Sequence, residues 1–187
     1  MRKIKNYNNF FISGCCGTVG EALLSHIVKN IKFSKIICAD NNEQKIFLLK
    51  EKYKNNKKIE FIYLDIRDEN TLNNYLYSID VVFHTAAIKH VTIAEKFPLE
   101  AIKTNILGVK NIINSSIKNN IKIVCFTSSD KAVNPSSVMG TSKLMGEKLI
   151  SAANNIPNSK TIFFSTRFGN IYASSGSIVQ IVNEQIK

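Results

Sequence analysis

Glycine is scarce in this sequence. There are eight in 187 residues, below the usual share of about 7%, yet three of them stand within seven positions, at Gly14, Gly17 and Gly20. Cysteine pairing is missing too. Cys15, Cys16, Cys38 and Cys125 form no CxxC and no metal-ligand spacing, so no metal is expected. Cys38 and Cys125 lie in apolar runs and read as buried thiols, and a reducing cytoplasm fits this usage best. No apolar run reaches the roughly 18 residues of a membrane helix. The run in the basic N-terminus MRKIKNYNNFFISG is too short for a signal peptide. Arginine is rare: apart from Arg2, Arg67 and Arg167, the 25 basic residues are lysines scattered along the chain. The formal net charge of +11 therefore reads as a solvated lysine surface, which favours polyanionic small molecules modestly, and no nucleic-acid groove is expected.

What is present is a regular alternation of short apolar runs and segments of helical period. Strands are expected at Asn9–Ser13, Ile36–Asp40, Ile59–Asp65, Asp80–His84, Lys122–Ser128 and Thr161–Arg167. Between them, helices are expected at Gly17–Lys29, Glu43–Lys54, Asp68–Leu76, Pro98–Lys118 and Val138–Asn154, with a last one at Ser177–Lys187. Strands separated by helices imply an α/β fold with a parallel sheet covered by helices on both faces. Right-handed crossovers favour a doubly wound order of 3-2-1-4-5-6. No repeat, low-complexity segment or linker divides residues 1–187, so one domain is expected. The sequence stops within its last helix without a compositional tail, and a C-terminal continuation is expected.

The three glycines sit between the first strand and the first helix. There they allow a tight turn and close approach of the backbone to a pyrophosphate, at a helix N-terminus whose N–H groups and dipole favour an anion. Gly14, Gly17, Thr18, Val19 and Gly20 are thus candidate dinucleotide contacts. Asp40 ends the second strand 20 residues after Gly20, where a carboxylate would take the adenosine ribose hydroxyls. Alternatively, Asp40 only caps the next helix. An acid there repels a 2′-phosphate, so NAD is expected, with NADP kept open by Lys45. Asp65 and Ile66 end the third strand, where adenine would lie, while Asp65 or Asp68 serves equally as a helix N-cap.

Further motifs carry a resemblance. His84-Thr85-Ala86-Ala87 resembles the cofactor-cleft wall of extended short-chain dehydrogenases/reductases. The runs Thr127-Ser128-Ser129-Asp130-Lys131-Ala132-Val133-Asn134-Pro135 and Val138-Met139-Gly140-Thr141-Ser142-Lys143 are more specific. Together with Ala87-Ile88-Lys89-His90-Val91, Lys103-Thr104-Asn105 and Arg167-Phe168-Gly169-Asn170, they resemble the nucleotide-sugar 4,6-dehydratases of polysaccharide biosynthesis. The resemblance runs from about residue 8 to 187 and implies a Rossmann domain, UDP-N-acetylglucosamine as substrate and a homo-oligomer built on surface helices. The superfamily's YxxxK reads Met139 to Lys143 here, as in a branch of the family, which leans toward retention at sugar C5. The implied substrate-binding region would lie mostly beyond Lys187.

By that resemblance the reaction is an internal redox cycle. Hydride leaves sugar C4, water is eliminated across C5 and C6, and hydride returns to C6. Asp130 would protonate the C6 hydroxyl, and Lys131 would take the C5 proton if burial beside the nicotinamide favoured its neutral form. The bland alternative is a surface Asp–Lys pair. Ser129 or Ser128 would bond the C4 oxygen. The C4 hydroxyl proton would pass to Asp130 or to water held by Ser129. Lys143 would hold the nicotinamide ribose, with Ala86 and Ala87 beside the cofactor. Met139 would pack on sugar or nicotinamide, or simply in the core. Lys89 would reach phosphates, and Asn170 the sugar or diphosphate. His90 is expected to be structural, Asn105 to bond backbone near the fifth strand, and Arg167 to brace the sixth. A C4 epimerase and a non-catalytic dinucleotide-binding module are the competing readings.

Overall fold

The computed structural model describes residues 7–171; the helix expected at Ser177–Lys187 lies outside them. Six strands are observed: β1 (Asn9–Ser13), β2 (Lys35–Asp40), β3 (Ile59–Tyr63), β4 (Val81–His84), β5 (Ile123–Ser129) and β6 (Ile162–Phe168). All neighbours pair in parallel, in the order β3-β2-β1-β4-β5-β6, the doubly wound order expected. Strand alternation divides the core. Phe11, Ile37, Val82, Val124 and Phe126 face one layer, while Phe10, Ile12, Ile36, Cys38 and Val81 face the other. The first layer is closed by α3 (Glu69–Tyr75), α6 (Gly108–Lys118) and α7 (Val138–Ala153), through Leu72, Ile112 and Ile150. The second is closed by α1 (Thr18–Asn30) and α2 (Glu43–Lys52), through Leu24, Ile27, Ile46 and Leu49. On β6, Ile162 and Phe164 remain exposed.

The long helix expected at Pro98–Lys118 is not uniform. A short α4 (Val91–Lys96) precedes it and α5 covers Pro98–Ile102. The residue before a proline is pushed out of the helical region, and Phe97 accordingly takes φ −130°, ψ 64° between the two. Residues Lys103–Leu107 then form a π-helical turn, with Gly108 N–H donating to Lys103 O, before α6 begins. This turn carries Asn105, which is 1% exposed. Its Oδ1 accepts from Ile88 N at 2.8 Å, and its Nδ2 donates to Ile88 O and Ser142 Oγ, each at 2.9 Å. Asn105 thus bonds backbone, that of Ile88 in the loop after β4, and ties this loop to α7 through Ser142. The 3.6-residue period cannot reveal a single wide turn, although such turns recur at functional sites.

The third strand also ends earlier than expected, at Tyr63. Asp65 instead opens a turn in which it accepts from Arg67 N–H, and Asp68 becomes the α3 N-cap, accepting from Thr71 N–H.

Asn105→Ala removes three hydrogen bonds, one buried and two partly buried, and leaves both backbone groups of Ile88 without this partner. Urea unfolding should report a loss of about 2–4 kcal/mol, against about 1 kcal/mol for Ser142→Ala. A change within about 0.5 kcal/mol for Asn105→Ala would show that this bridge is not what fastens the loop.

Candidate functional site

Because every strand runs the same way, the turns after β1, β4 and β5 emerge on one edge of the sheet. The turn after β1 is held from both sides. Gly14 and Cys15 N–H donate to Ala39 O of β2 at 2.8 and 3.2 Å. On the other side, Thr85 Oγ1 donates to Ser13 O and Gly14 O at 2.7 and 3.1 Å. Gly14 has φ +72°, a region that favours glycine, and a Cβ there would stand 2.5 Å from Ala86 N. At Gly20 a Cβ would stand 2.3 Å from Gly14 O, so α1 packs directly on the turn. Gly17, the α1 N-cap, brings no side chain to the first-turn N–H groups. Thr18 and Val19 follow it, half-buried. The result is the N-terminus of a 13-residue helix with no side-chain cap and with Ala86 and Ala87 half-buried beside the turn, an arrangement that could hold an anion such as a pyrophosphate.

Asp40 reaches this turn from β2. Its Oδ2 accepts from Cys16 N–H at 2.9 Å and its Oδ1 from Asn42 N–H at 3.0 Å. It is not the cap of α2: that is Asn42, whose side chain accepts from Lys45 N–H. Around Asp40 the fold also gathers thiols. All four cysteines are free and buried, and Cys15 Sγ lies 3.9 Å from Cys16 Sγ. Contact with the Cys15 thiol and burial push the Cys16 thiol up, into the protonated form.

A polar row crosses the sheet from this turn. Ser13 on β1 pairs in register with His84 on β4, and His84 with Phe126 on β5. Ser13 Oγ bonds His84 Nδ1 at 2.7 Å, and the His84 ring stacks on Phe126 at 5.6 Å. Lys143 also sits over the Phe126 ring, its Nζ 4.7 Å from the ring centroid and donating to Thr127 O at 2.8 Å. His84 and Lys143 are both buried. Burial, and secondarily the Lys143 charge, pushes His84 down to about 3, so it is neutral. Burial pulls Lys143 down to about 8, against the opposing charge of Glu147. His84 Nε2 is buried without a hydrogen-bond partner.

The turn after β5 is a single 3-10 turn, Asp130–Ala132, capped by Ser129. Ser129 Oγ donates to Asp130 Oδ1 at 2.8 Å. Lys131 Nζ donates to Asp130 Oδ1 and to Asn170 Oδ1, each at 3.1 Å. Four of the expected site residues thus form one connected cluster. The Ser129 hydroxyl, then Lys131, hold the Asp130 carboxyl below the usual carboxylate range. Asp130 and Lys131 are both exposed, so the burial expected for Lys131 is not found among the described residues. Arg167 forks onto Glu147 at 2.8 and 2.7 Å and braces β6 against α7.

Other expected residues lie outside this hydrogen-bonded cluster. Partial burial works to raise the Asp65 carboxyl, but Arg67 outweighs it and holds it below its ordinary range; Arg67 also pairs with Glu100. Ile66 is buried in the core. Met139 is 3% exposed in a small cluster with Ala94 and Ala101, on which Ile88, Val91 and Val138 pack. Lys89 is exposed after β4. His90 is exposed at the α4 N-cap without a side-chain cap bond, and not a buried, bonded histidine. The Ser13–His84–Phe126 row lies outside the expectations from sequence, although its signal is there: Ser13 and His84 are the polar last residues of β1 and β4, whose other inward residues are apolar.

His84 sets a pH dependence. Below about pH 6.5 the unfolded chain takes up a proton that the folded histidine refuses until about pH 3, so this site costs stability as pH falls through that window. Denaturant melts from pH 6 to 4 should show the parent losing about 1 kcal/mol per pH unit relative to His84→Gln. Parallel profiles would contradict a neutral buried His84.

Comparison with known proteins agrees with this architecture. The chain is 39% identical over 182 residues to the UDP-N-acetylglucosamine 4,6-dehydratase (inverting) of Campylobacter jejuni subsp. jejuni serotype O:23/36 (strain 81-176), covering 97% of this chain and 54% of that protein. It is 40% identical over 182 residues to the UDP-glucose 4-epimerase of Rickettsia bellii (strain OSU 85-389), covering 94% and 52%. The solved structure of Pen from Bacillus thuringiensis superposes with a TM-score of 0.93 at 37% identity, over 97% of this chain and 58% of that one. The chain thus spans about half the length of the curated relatives it matches. Among the described residues, no helix is long and apolar enough to cross a membrane. The family model described as polysaccharide biosynthesis protein matches residues 10–187, nearly the whole sequence, and the chain belongs to that family.

Proposed function

We propose that the intact protein is a nucleotide-sugar 4,6-dehydratase that converts UDP-N-acetylglucosamine to a 4-keto-6-deoxy sugar nucleotide for surface polysaccharide or glycan synthesis. The connected Ser129–Asp130–Lys131–Asn170 cluster at the C-terminal edge of the sheet carries this reading, because elimination of water needs an acid and a base on adjacent sugar carbons. The glycine cradle and Asp40 suit NAD: the turn leaves no room for a Cβ at Gly14 or Gly20, and Asp40 disfavours a 2′-phosphate. NAD, when bound, supplies the hydride acceptor for C4 and the donor for C6.

The chain's own groups account for the protons. Ionised Asp130 accepts the C4 hydroxyl proton, relayed by Ser129, which already donates to it. Lys131 takes the C5 proton while the C6–O bond breaks, and Asp130 gives its proton to the departing oxygen, releasing water. Lys131 then returns its proton to C5. Asp130 ends ionised and Lys131 neutral, as they began the chemical steps. The ionised form of Asp130 in the free protein suits its part, while Lys131 depends on bound substrate and cofactor to bury it. Lys143 holds the nicotinamide ribose from its seat on Phe126. Asn170 positions both Lys131 and the sugar, and Lys89 approaches the diphosphate. Asp65 and Ile66 border the adenine. Met139 shapes the floor under the sugar from its packed cluster, as in the C5-retaining branch. Helices on the protein surface join subunits in the cytoplasm.

A C4 epimerase is the second reading, favoured by the likeness to the Rickettsia bellii protein, but it leaves the Asp130–Lys131 pair without work. With the full-length gene product and UDP-N-acetylglucosamine, alkali absorbance should report a 4-keto sugar and mass spectrometry the loss of one water. Lys131→Ala should lower kcat by about a hundredfold or more. A product of unchanged mass would overturn the dehydratase reading, and undiminished turnover in Lys131→Ala would overturn the role of Lys131.

A further inference from the structure

Two adjacent cysteines in the glycine turn have no part in the chemistry above. Cys15 is fully buried and Cys16 is 9% exposed, at the point where Asp40 reaches the turn. One ligand atom each from Cys15, Cys16 and Asp40 lie within 4.8 Å of one another. The two sulfurs stand 3.9 Å apart. Two thiolates about 2.3 Å from a tetrahedral zinc ion are separated by about 3.8 Å, so the sulfurs already have the spacing such an ion requires. The carboxylate needs to draw in by on the order of 1 Å to complete a three-ligand face. Cys38, two residues before Asp40 on β2, places its thiol against that of Cys15 and is next in line as a fourth ligand.

From this geometry we infer that Cys15, Cys16 and Asp40 form a site for a thiophilic divalent cation such as zinc or cadmium, and that its occupation excludes the dinucleotide. The sequence spacing gives no hint of it, because the ligands come from the turn and from the end of a neighbouring strand. Binding exchanges two thiol protons for the ion. Soft sulfur ligands select such an ion over magnesium or calcium. The coupling follows from shared parts. An ion on Asp40 occupies the carboxylate that the adenosine ribose would use, and it pulls that carboxylate away from Cys16 N–H, a bond that shapes the cradle. This second half of the inference rests on the proposed cofactor role of the turn; the ion site itself does not.

Cadmium titration of the reduced chain, followed by thiolate-to-cadmium absorbance in the ultraviolet, tests both halves. The expected result is one ion per chain. Cys15→Ser and Cys16→Ser should each weaken binding about tenfold or more, Asp40→Asn should weaken it less, and Cys125→Ser should leave it unchanged. Zinc should displace the band, and NAD should raise the apparent cadmium Kd about tenfold. Absence of a band, or a band that survives in the Cys15→Ser/Cys16→Ser double variant, would overturn the site. Calorimetry of NAD on the metal-free chain separates the two readings. If NAD binds and cadmium affinity does not change, the exclusion is wrong. If NAD does not bind while the band forms as expected, the cofactor reading fails and the ion site stands.

Discussion

The site depends on how the turn after β1 is clamped between the strands on either side. Ala39 O takes the first two N–H groups of the turn, Thr85 Oγ1 holds its carbonyls, and Asp40 takes the N–H of Cys16. Each of these bonds comes from outside β1, so the cradle exists only when β2 and β4 are in register beside it. The packing of α1 on Gly14 then fixes where the helix N-terminus points. A turn made this way takes its shape from the protein's own bonds, and such preorganisation lowers the ordering cost of binding.

From that turn the row Ser13, His84, Phe126 and Lys143 leads across the sheet to the Asp130 loop. Its members touch through a hydrogen bond, a ring stack and a cation–π contact. The electrostatics along it are consistent. A charge on His84 is disfavoured by burial and by Lys143, and Lys143 in turn is only weakly held as a cation. Between these two groups a positive charge therefore rests on Lys143, buried over Phe126 and bonded to Thr127 O. Lys131 adds a second, exposed cation tied to Asp130 and Asn170.

Much of this was legible in the sequence for physical reasons. Short apolar runs between helical segments dictate a parallel sheet, and crossover handedness leaves few orders for six strands. Gly14, Gly17 and Gly20 marked the turn because so few glycines occur elsewhere. The π turn at Asn105 was not legible, since one extra residue in a turn scarcely disturbs an apolar period. Which backbone Asn105 meets was not legible either, because the loop after β4 lies close only once α4 and α5 are known to break at Phe97. The exposed setting of Lys131 and the close approach of Cys15, Cys16 and Asp40 were not legible, because strand order fixes neither how a loop side chain is covered nor how thiols and a carboxylate meet at the end of a strand.

The central claim is that the clamped turn and Asp40 together form an NAD cradle. Calorimetric titration of the chain with NAD and NADP tests it most directly, on the parent and on Asp40→Ala. The account predicts one NAD per chain, about tenfold or more weaker binding of NADP, and loss of that preference in Asp40→Ala through weaker NAD binding. Equal affinity for the two dinucleotides, or an equal loss of both in Asp40→Ala, would contradict it and leave Asp40 as no more than a brace for the turn.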